Sequence, residues 1–156
     1  MEIPPSSEAQ WFTGSLEPCE YQDVLNRLNE INPSEIHVGC DSHLRQKTYF
    51  FAVVVCFKTE RGWIYFWKRH KYPERKFPNL RLRLLHEVML SLTLANELRD
   101  IKDRDIWVHA DLNENPKYKS NRSTKQLTNI IKAMGFNFRI KPCAWAASSV
   151  ADWHAK

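Results

Sequence analysis

Two segments of the chain carry the same short pattern of side chains. Residues 36–41 read Ile-His-Val-Gly-Cys-Asp, and residues 106–111 read Ile-Trp-Val-His-Ala-Asp. In a strand, successive side chains point to opposite faces, so Ile, Val and a small residue share one face of each segment and Asp ends the other. If the two strands are parallel neighbours, Asp41 and Asp111 lie side by side, about 5 Å apart from strand to strand.

Two carboxylates this close repel each other, and the repulsion raises their pKa values unless a cation lies between them. Hard divalent cations such as Mg²⁺ prefer oxygen ligands, and open α/β sheets bind ligands beyond the carboxyl ends of their strands. The alternative is that Asp41 and Asp111 each begin an ordinary turn after a strand. The match between the two segments favours the cation site.

The composition is typical of one soluble globular domain. The chain has 156 residues, of which 43% are hydrophobic and 26% are charged, enough for one core and too few for two. Its longest apolar run, residues 49–57, is too short to span a bilayer. We therefore expect no membrane association.

The cysteines and glycines argue against several classes of site. The four cysteines form no CxxC pair, which argues against a zinc module and a disulfide scaffold. The first residues show no secretory signal, so we expect a reducing, cytoplasmic location. The four glycines form no GxGxxG or GxxxxGKS/T motif, so we expect no nucleotide cofactor.

Positive charge is concentrated in two segments, although the formal net charge of the chain is only +5. Residues 61–83 hold eight Lys and Arg against one acid, and residues 115–141 hold seven and no acid. Two such segments beside an acidic remainder indicate a polyanionic partner such as nucleic acid. The alternative, two solvated faces of an ordinary basic protein, is equally open on this observation alone.

The order of elements predicts a mixed α/β fold. Residues 1–19 look irregular, and apolar residues at helical spacing predict a helix over residues 20–32. Three strands joined by short turns suggest an antiparallel meander, and later β-α-β units add parallel strands through right-handed crossovers. We expect a mixed five-stranded sheet with strands at 35–40, 48–58, 63–72, 105–112 and 136–140 and helices at 80–98, 123–134 and 144–155.

Two further acids are candidates for the same site. Glu87 lies at the border of the apolar arc of the helix over residues 80–98, where an ionised carboxylate needs a partner such as a metal or a water. A snorkelling Glu87 paired with Arg83 is an equally good interpretation.

Asp152 follows a run of small residues that would let a helix backbone lie close to the sheet. Its alternative is a surface acid near the chain terminus.

In this order of elements, the four acids resemble the layout of the ribonuclease H-like superfamily. Its fold has three antiparallel strands and then two parallel ones, with acids on the first strand, the first core helix, the fourth strand and the last helix. More narrowly, the chain resembles a family of small ribonuclease H-like proteins of bacteria and their viruses. The matching segments are Val-Gly-Cys-Asp-Ser-His (38–43), Arg-Leu (81–82) with Glu-Val (87–88), His-Ala-Asp-Leu-Asn (109–113) with Lys-Ser (119–120), Gly-Phe (135–136), and Lys-Pro-Cys-Ala-Trp-Ala-Ala (141–147) with Ala-Asp (151–152).

The resemblance implies a ribonuclease H-like domain at residues 34–156, preceded by an extension, residues 1–33, with one amphipathic helix. It also implies a nuclease that hydrolyses phosphodiester bonds with two divalent ions, Mg²⁺ or Mn²⁺. Asp41 would bridge the ions, Asp111 would hold one and Asp152 the other. Glu87 would bind the ion that meets the scissile phosphate.

The substrate stays open between RNA, an RNA–DNA hybrid and structured DNA. The alternative function is a non-catalytic nucleic-acid-binding module on the same fold. Basic residues would contact phosphates in either case, and the candidates are Lys117, Lys119, Arg122, Lys141 and Arg81. Three aromatic residues, Trp63, Tyr65 and Trp67, either stack on bases or pack against the sheet. His43 and His109 flank the acids and stay outside the predicted catalytic set.

Overall fold

The described part of this protein is built on one seven-stranded sheet. A computed structural model describes residues 2–100, 105–118 and 121–156. The strands are β1 (Trp11–Thr13), β2 (Pro18–Cys19), β3 (Glu35–Arg45), β4 (Thr48–Thr59), β5 (Gly62–Pro73), β6 (Asp105–His109) and β7 (Asn137–Arg139). Their order across the sheet is β2-β1-β5-β4-β3-β6-β7.

The pairing of the strands confirms the mixed sheet. Strands β3, β4 and β5 form an antiparallel meander, and β6 and β7 extend the sheet beyond β3 in parallel. The middle strand of the meander, β4, is buried at every position from 50 to 57. The sequence predicts this central position, because β4 has apolar side chains on both faces and such a strand must be covered on both sides.

Helices cover both faces of the sheet. They are α1 (Tyr21–Ile31), α2 (Leu80–Arg99), α3 (Asn121–Ala133), a π-helical segment (Ala146–Ala151) and α4 (Asp152–Ala155). The larger core includes side chains of β3 and β4 together with side chains of α2, among them Val38, Val53, Val55, Val88 and Leu92. A smaller core includes the π-helical segment and side chains of β4 and β5, namely Val54, Cys56, Trp67, Ala146 and Ala151.

The aromatic side chains of β5 pack mainly within the protein. The Trp67 ring stacks on His154 at 4.1 Å and on Phe12 at 4.7 Å between ring centroids. The Tyr65 hydroxyl and His154 Nε2 share a hydrogen bond of 2.9 Å. These contacts favour packing over base stacking for both residues, whereas Trp63 is 51% exposed.

The N-terminal residues add two short strands to the sheet. The expectation that residues 1–19 are irregular is wrong, because β1 pairs antiparallel with both β2 and β5. Strands of three and two residues are too short to produce a detectable alternation of apolar side chains. The sheet therefore has seven strands where five were expected. The division between an extension and a domain at residues 34–156 stays a prediction.

A buried lysine connects the N-terminal segment to the sheet. Lys68 is 1% exposed, so it does not contribute to a basic surface as its segment suggested. Its ammonium donates to Ser6 Oγ over 3.1 Å. The Ser6 hydroxyl and backbone N–H donate to the Glu97 carboxylate over 2.9 and 3.0 Å, and Trp11 Nε1–H donates to the Ser6 carbonyl over 3.0 Å. Such pairing compensates the cost of burying the charge.

Two features of the structure concern the predicted absence of membrane association and the predicted reducing location: the length of the helices and the state of the cysteines. None of the helices in the described residues has the length and apolarity needed to cross a membrane. The cysteines at 19, 40, 56 and 143 are free thiols. The cytoplasmic location itself stays a prediction.

His86 of α2 is enclosed by aromatic rings. Its ring centroid lies 5.0 Å from that of Phe51, 4.8 Å from Tyr72 and 5.1 Å from Phe77. Burial in this surrounding lowers the pKa of His86 to about 4, because an apolar enclosure disfavours the charged imidazolium. The folded protein therefore holds this imidazole in its neutral form at neutral pH.

Replacing His86 with Phe should flatten the acid side of the pH–stability profile. In the wild type the unfolded imidazole, with a pKa near 6.5, takes up a proton that the folded one excludes. The free energy of unfolding therefore falls as the pH drops from about 6.5 towards the folded pKa of about 4. The variant should lose up to about 1.4 kcal/mol per pH unit of this slope, as measured by urea denaturation at a series of pH values.

Tyr72→Phe is the matched control, because it alters a neighbouring ring without removing an imidazole. Its slope should equal that of the wild type. Parallel pH profiles for the wild type and His86→Phe would contradict the role given to His86.

Candidate metal centre

Strands β3 and β6 pair as the matched segments predict. They are parallel neighbours with Ile36 opposite Ile106 and Gly39 opposite His109. Asp111 follows the end of β6 by two residues, and its charge acts on Asp41. The expectation that Asp41 ends its strand is wrong, because β3 runs on to Arg45 and its last residues pair with β4 in a hairpin.

Asp41 is buried among like charges. The residue is 7% exposed, and burial is the main reason that the pKa of its carboxyl rises to about 9. The charge of Glu87, a hydrogen bond shared with Asp152 and the charge of Asp111 add to the increase. All three of the other predicted acids therefore raise the pKa of Asp41. In the absence of a cation, its carboxyl is protonated near neutral pH.

Glu87 approaches the same place from α2. It is 5% exposed, and its Oε2 accepts a hydrogen bond of 2.8 Å from Ser42 Oγ. Burial raises the pKa of Glu87 to about 8, against the opposing effect of the Ser42 hydrogen bond. The snorkelling interpretation is wrong, since the carboxylate is buried, although the positive charge of Arg83 still lowers its pKa.

Asp111 forms an ion pair with Lys141. The Lys141 ammonium lies 3.1 Å from Asp111 Oδ1, with side-chain exposures of 39% and 23%. The backbone N–H of Lys141 also donates to the carbonyl of Leu112 over 3.0 Å. These two contacts join the turn after β7 to the loop after β6. Lys141 therefore lies beside the acids, as its position after the fifth predicted strand suggests.

Asp152 contacts a histidine that the sequence analysis left out of the site. His43 Nε2 lies 2.7 Å from Asp152 Oδ1 and 3.5 Å from Asp41 Oδ2. The Lys156 ammonium lies 3.0 Å from the other oxygen of Asp152. The two-residue spacing of Asp41 and His43 on one strand places both on the same face, and this was the signal available in the sequence.

Close packing over Gly39 brings the C-terminal segment onto the sheet. A Cβ atom at Gly39 would lie 2.7 Å from the backbone nitrogen of Ala147 and 2.8 Å from the carbonyl carbon of Ala146. The predicted close approach of small residues is therefore confirmed. The Ala146 N–H donates to His109 Nδ1 over 3.2 Å, which fixes the start of the segment that carries Asp152.

The C-terminal segment differs from the regular helix predicted over residues 144–155. It is π-helical from Ala146 to Ala151 and α-helical only from Asp152 to Ala155. The segment begins where its first backbone N–H binds an imidazole of the sheet rather than a carbonyl of its own helix. The spacing of apolar residues in the sequence cannot predict such a contact, so it could not predict the π-helical segment.

Three of the predicted phosphate-binding residues line one groove. Arg81, Lys117 and Arg122 surround an open cavity of about 950 Å³ between the first turns of α2 and α3, together with Tyr118. The Arg81 guanidinium donates to Gln126 Oε1 over 3.0 Å, so it is held on the wall of the groove. Lys119 lies outside the described residues. We call this cavity the basic groove.

Comparison with known proteins agrees with this layout. A sequence model described as Ribonuclease H-like matches residues 21–156. The chain belongs to the ribonuclease H-like family. The mixed sheet with helices on both faces is consistent with a ribonuclease H-like fold, and β1 and β2 add two strands at its edge. No curated protein and no solved structure gives a significant match.

The donor set of this ribonuclease H-like site fits divalent cations. Carboxylate oxygens are the ligands that Mg²⁺ and Mn²⁺ prefer, and Asp41 interacts with three further acids here. One ligand atom from each of Asp41, His43 and Asp152 lies within 4.8 Å of the other two. Burial first, and the neighbouring acids second, raise the pKa of Asp41, and a bound cation would oppose both effects.

Gly39→Ala should weaken the fold by displacing the C-terminal segment. The new Cβ would meet backbone atoms, which cannot rotate away, so the segment must shift. We expect a loss of about 1–3 kcal/mol in the free energy of unfolding, measured by chemical denaturation, together with weaker Mn²⁺ binding in calorimetry. The matched control is Gly14→Ala, whose Cβ would meet only the Tyr65 ring, at 3.0 Å, and no backbone atom. Equal losses in the two variants would argue against the close approach.

Proposed function

We propose that this ribonuclease H-like protein is a metal-dependent nuclease that hydrolyses phosphodiester bonds of nucleic acid. The observation that carries the proposal is the interaction of the buried Asp41 with Glu87, Asp111 and Asp152, which come from three other parts of the chain. Two of the four acids, Asp41 and Glu87, are buried, and a buried carboxylate is costly without a compensating cation. Their retention in a ribonuclease H-like fold therefore supports a catalytic metal centre.

The catalytic and metal-binding residues of the proposal are Asp41, Glu87, Asp111 and Asp152. Two divalent ions held by them, Mg²⁺ or Mn²⁺, would polarise the attacking water and stabilise the charge that develops on the leaving 3′-oxygen. Asp41 is central, because it interacts with the other three acids. Asp41 and Glu87 must lose their protons for this to happen, so cation binding and proton release are coupled.

The basic groove supplies the contacts to the substrate backbone. Arg81 and Arg122 present planar guanidinium groups that bind phosphate oxygens in pairs, and Lys117 adds a third positive charge. Glu87 follows Arg81 by six residues on α2, about 9 Å along the helix axis. A strand bound in the groove would therefore lead towards the acids. Lys141, paired with Asp111, would meet a phosphate at the metal centre itself.

The alternative is a non-catalytic nucleic-acid-binding module on the same fold. The basic groove supports both functions equally, since it lacks the acids of the metal centre. The two functions differ in what the acids do. A binding module would hold nucleic acid in EDTA as well as in Mg²⁺, and it would cleave in neither.

Asp41→Asn should abolish cleavage. The change keeps the size of the side chain but removes the carboxylate shared by the whole cluster, so we expect a loss of about 100-fold or more in rate. The assay uses labelled RNA, DNA, duplex and hybrid substrates with Mg²⁺, Mn²⁺ or EDTA. Asp105→Asn, at the exposed start of β6, is the matched control and should cleave like the wild type. Unchanged cleavage by Asp41→Asn would disprove the nuclease assignment.

Replacing Arg81 and Arg122 with Ala should weaken binding in a salt-dependent way. Each lost phosphate contact lowers the slope of log K against log salt by about 0.7 for single strands and about 0.9 for duplexes. Binding by the catalytically inactive Asp41→Asn background, measured by fluorescence anisotropy over a salt series, gives this slope. Arg61→Ala, in the turn between β4 and β5, removes the same charge away from the groove and should leave the slope unchanged. An unchanged slope in the double variant would exclude the groove as a phosphate site.

A further inference from the structure

His43 occupies the space between two of the acids. Its Nε2 lies 2.7 Å from Asp152 Oδ1 and 3.5 Å from Asp41 Oδ2. The three side chains come from two elements, since Asp41 and His43 follow each other on one face of β3 and Asp152 begins α4. A histidine in this place adds a nitrogen donor to a site otherwise made of oxygen donors.

The spacing of the three ligand atoms suits a single ion. A divalent ion with octahedral bonds of about 2.1 Å places neighbouring ligand atoms about 3 Å apart. The two distances from His43 Nε2 lie on either side of that value, and all three atoms lie within 4.8 Å of one another. The side chains of His43 and Asp152 are 36% and 26% exposed, so the remaining coordination positions face solvent and substrate.

The other histidine beside the acids is not available as a ligand. His109 Nδ1 accepts the N–H of Ala146, and its Nε2 shares a hydrogen bond of 2.9 Å with His37 Nδ1. Since the Ala146 N–H occupies Nδ1, the neutral His109 carries its proton on Nε2 and donates it to His37. Both ring nitrogens are therefore occupied, Nδ1 by the C-terminal segment and Nε2 by His37 of β3. His43 is the histidine whose nitrogen points at carboxylates.

We propose that His43 Nε2 is a metal ligand beside Asp41 and Asp152, and that it makes this centre favour Mn²⁺ or Co²⁺ over Mg²⁺. This inference rests on the proposed function, because it concerns the same metal centre. Mg²⁺ binds oxygen donors and discriminates against nitrogen, whereas imidazole is a good ligand for first-row transition metals. The identity of residue 43 therefore sets the selectivity among divalent ions.

The competing explanation is that His43 only forms ion pairs with Asp41 and Asp152. An imidazolium between two carboxylates would satisfy the same distances. In that case a cation would displace His43 rather than bind it. Removing the imidazole would then leave the preference between metals unchanged or strengthen the binding of every metal.

The test measures metal binding by the purified full-length protein, without reference to activity. Titration calorimetry gives the affinities for Mn²⁺, Co²⁺ and Mg²⁺, and pulsed electron paramagnetic resonance of bound Mn²⁺ detects a coordinated imidazole nitrogen. We expect the wild type to show this nitrogen and to prefer Mn²⁺. His43→Asn should lose the nitrogen signal and at least about 10-fold in Mn²⁺ affinity, with a smaller change for Mg²⁺. His43→Asp, which offers only oxygen, should shift the preference towards Mg²⁺.

Asp41→Asn separates this inference from the proposed function. If Asp41→Asn abolishes metal binding while His43→Asn keeps the wild-type affinities and the wild type shows no nitrogen signal, the role of His43 is disproved and the metal centre stands. If the wild type binds no divalent ion at all, the metal centre and the role of His43 both fail. Loss of the nitrogen signal in His43→Asn alone supports the inference.

Discussion

The burial of two carboxylates, Asp41 and Glu87, beside further acids is the constraint on which the rest of this structure depends. Asp41 interacts with Glu87, Asp111 and Asp152 in a place that is nearly closed to water, and the pKa of its carboxyl rises to about 9. Such an arrangement destabilises a fold unless other groups compensate it. The Ser42 hydroxyl and the Lys141 ammonium supply part of that compensation. Divalent cations would supply the remainder, so in the proposed function the acids that oppose folding are also the metal ligands.

The sequence contains enough information to predict the centre of the fold and two of the acids. In two neighbouring parallel strands, residues opposite each other point to the same face of the sheet. Two segments with the same alternation of side chains, 36–41 and 106–111, therefore fit side by side in register. The pairing of β3 with β6 follows this pattern. Glu87 was undecided because a residue at the border of an apolar arc faces either solvent or a neighbour. Only the position of Ser42 decides between the two.

Other features depend on contacts that no local pattern contains. Strand β1 forms on the edge of β5, and β2 forms on β1; their few residues show no alternation that predicts either strand. The sequence places His43 beside the acids, but a strand that ends at residue 40 gives no reason to expect its contacts with Asp41 and Asp152. A strand that continues through Asp41, as the hairpin with β4 requires, places His43 on the same face as that acid. The length of one strand thus decides whether a contact between His43 and the acids is expected.

The hydrogen bonds around Ser6 have a consequence for shortened forms of the chain. A protein that begins at α1 would keep the whole region matched by the family, residues 21–156. It would lose Ser6, the common partner of the buried Lys68 ammonium and the Glu97 carboxylate. It would also uncover the outer side of β5, whose free N–H and carbonyl groups could then pair with the same strand of another molecule. Truncation to the family boundary would thus expose a strand edge that favours self-association.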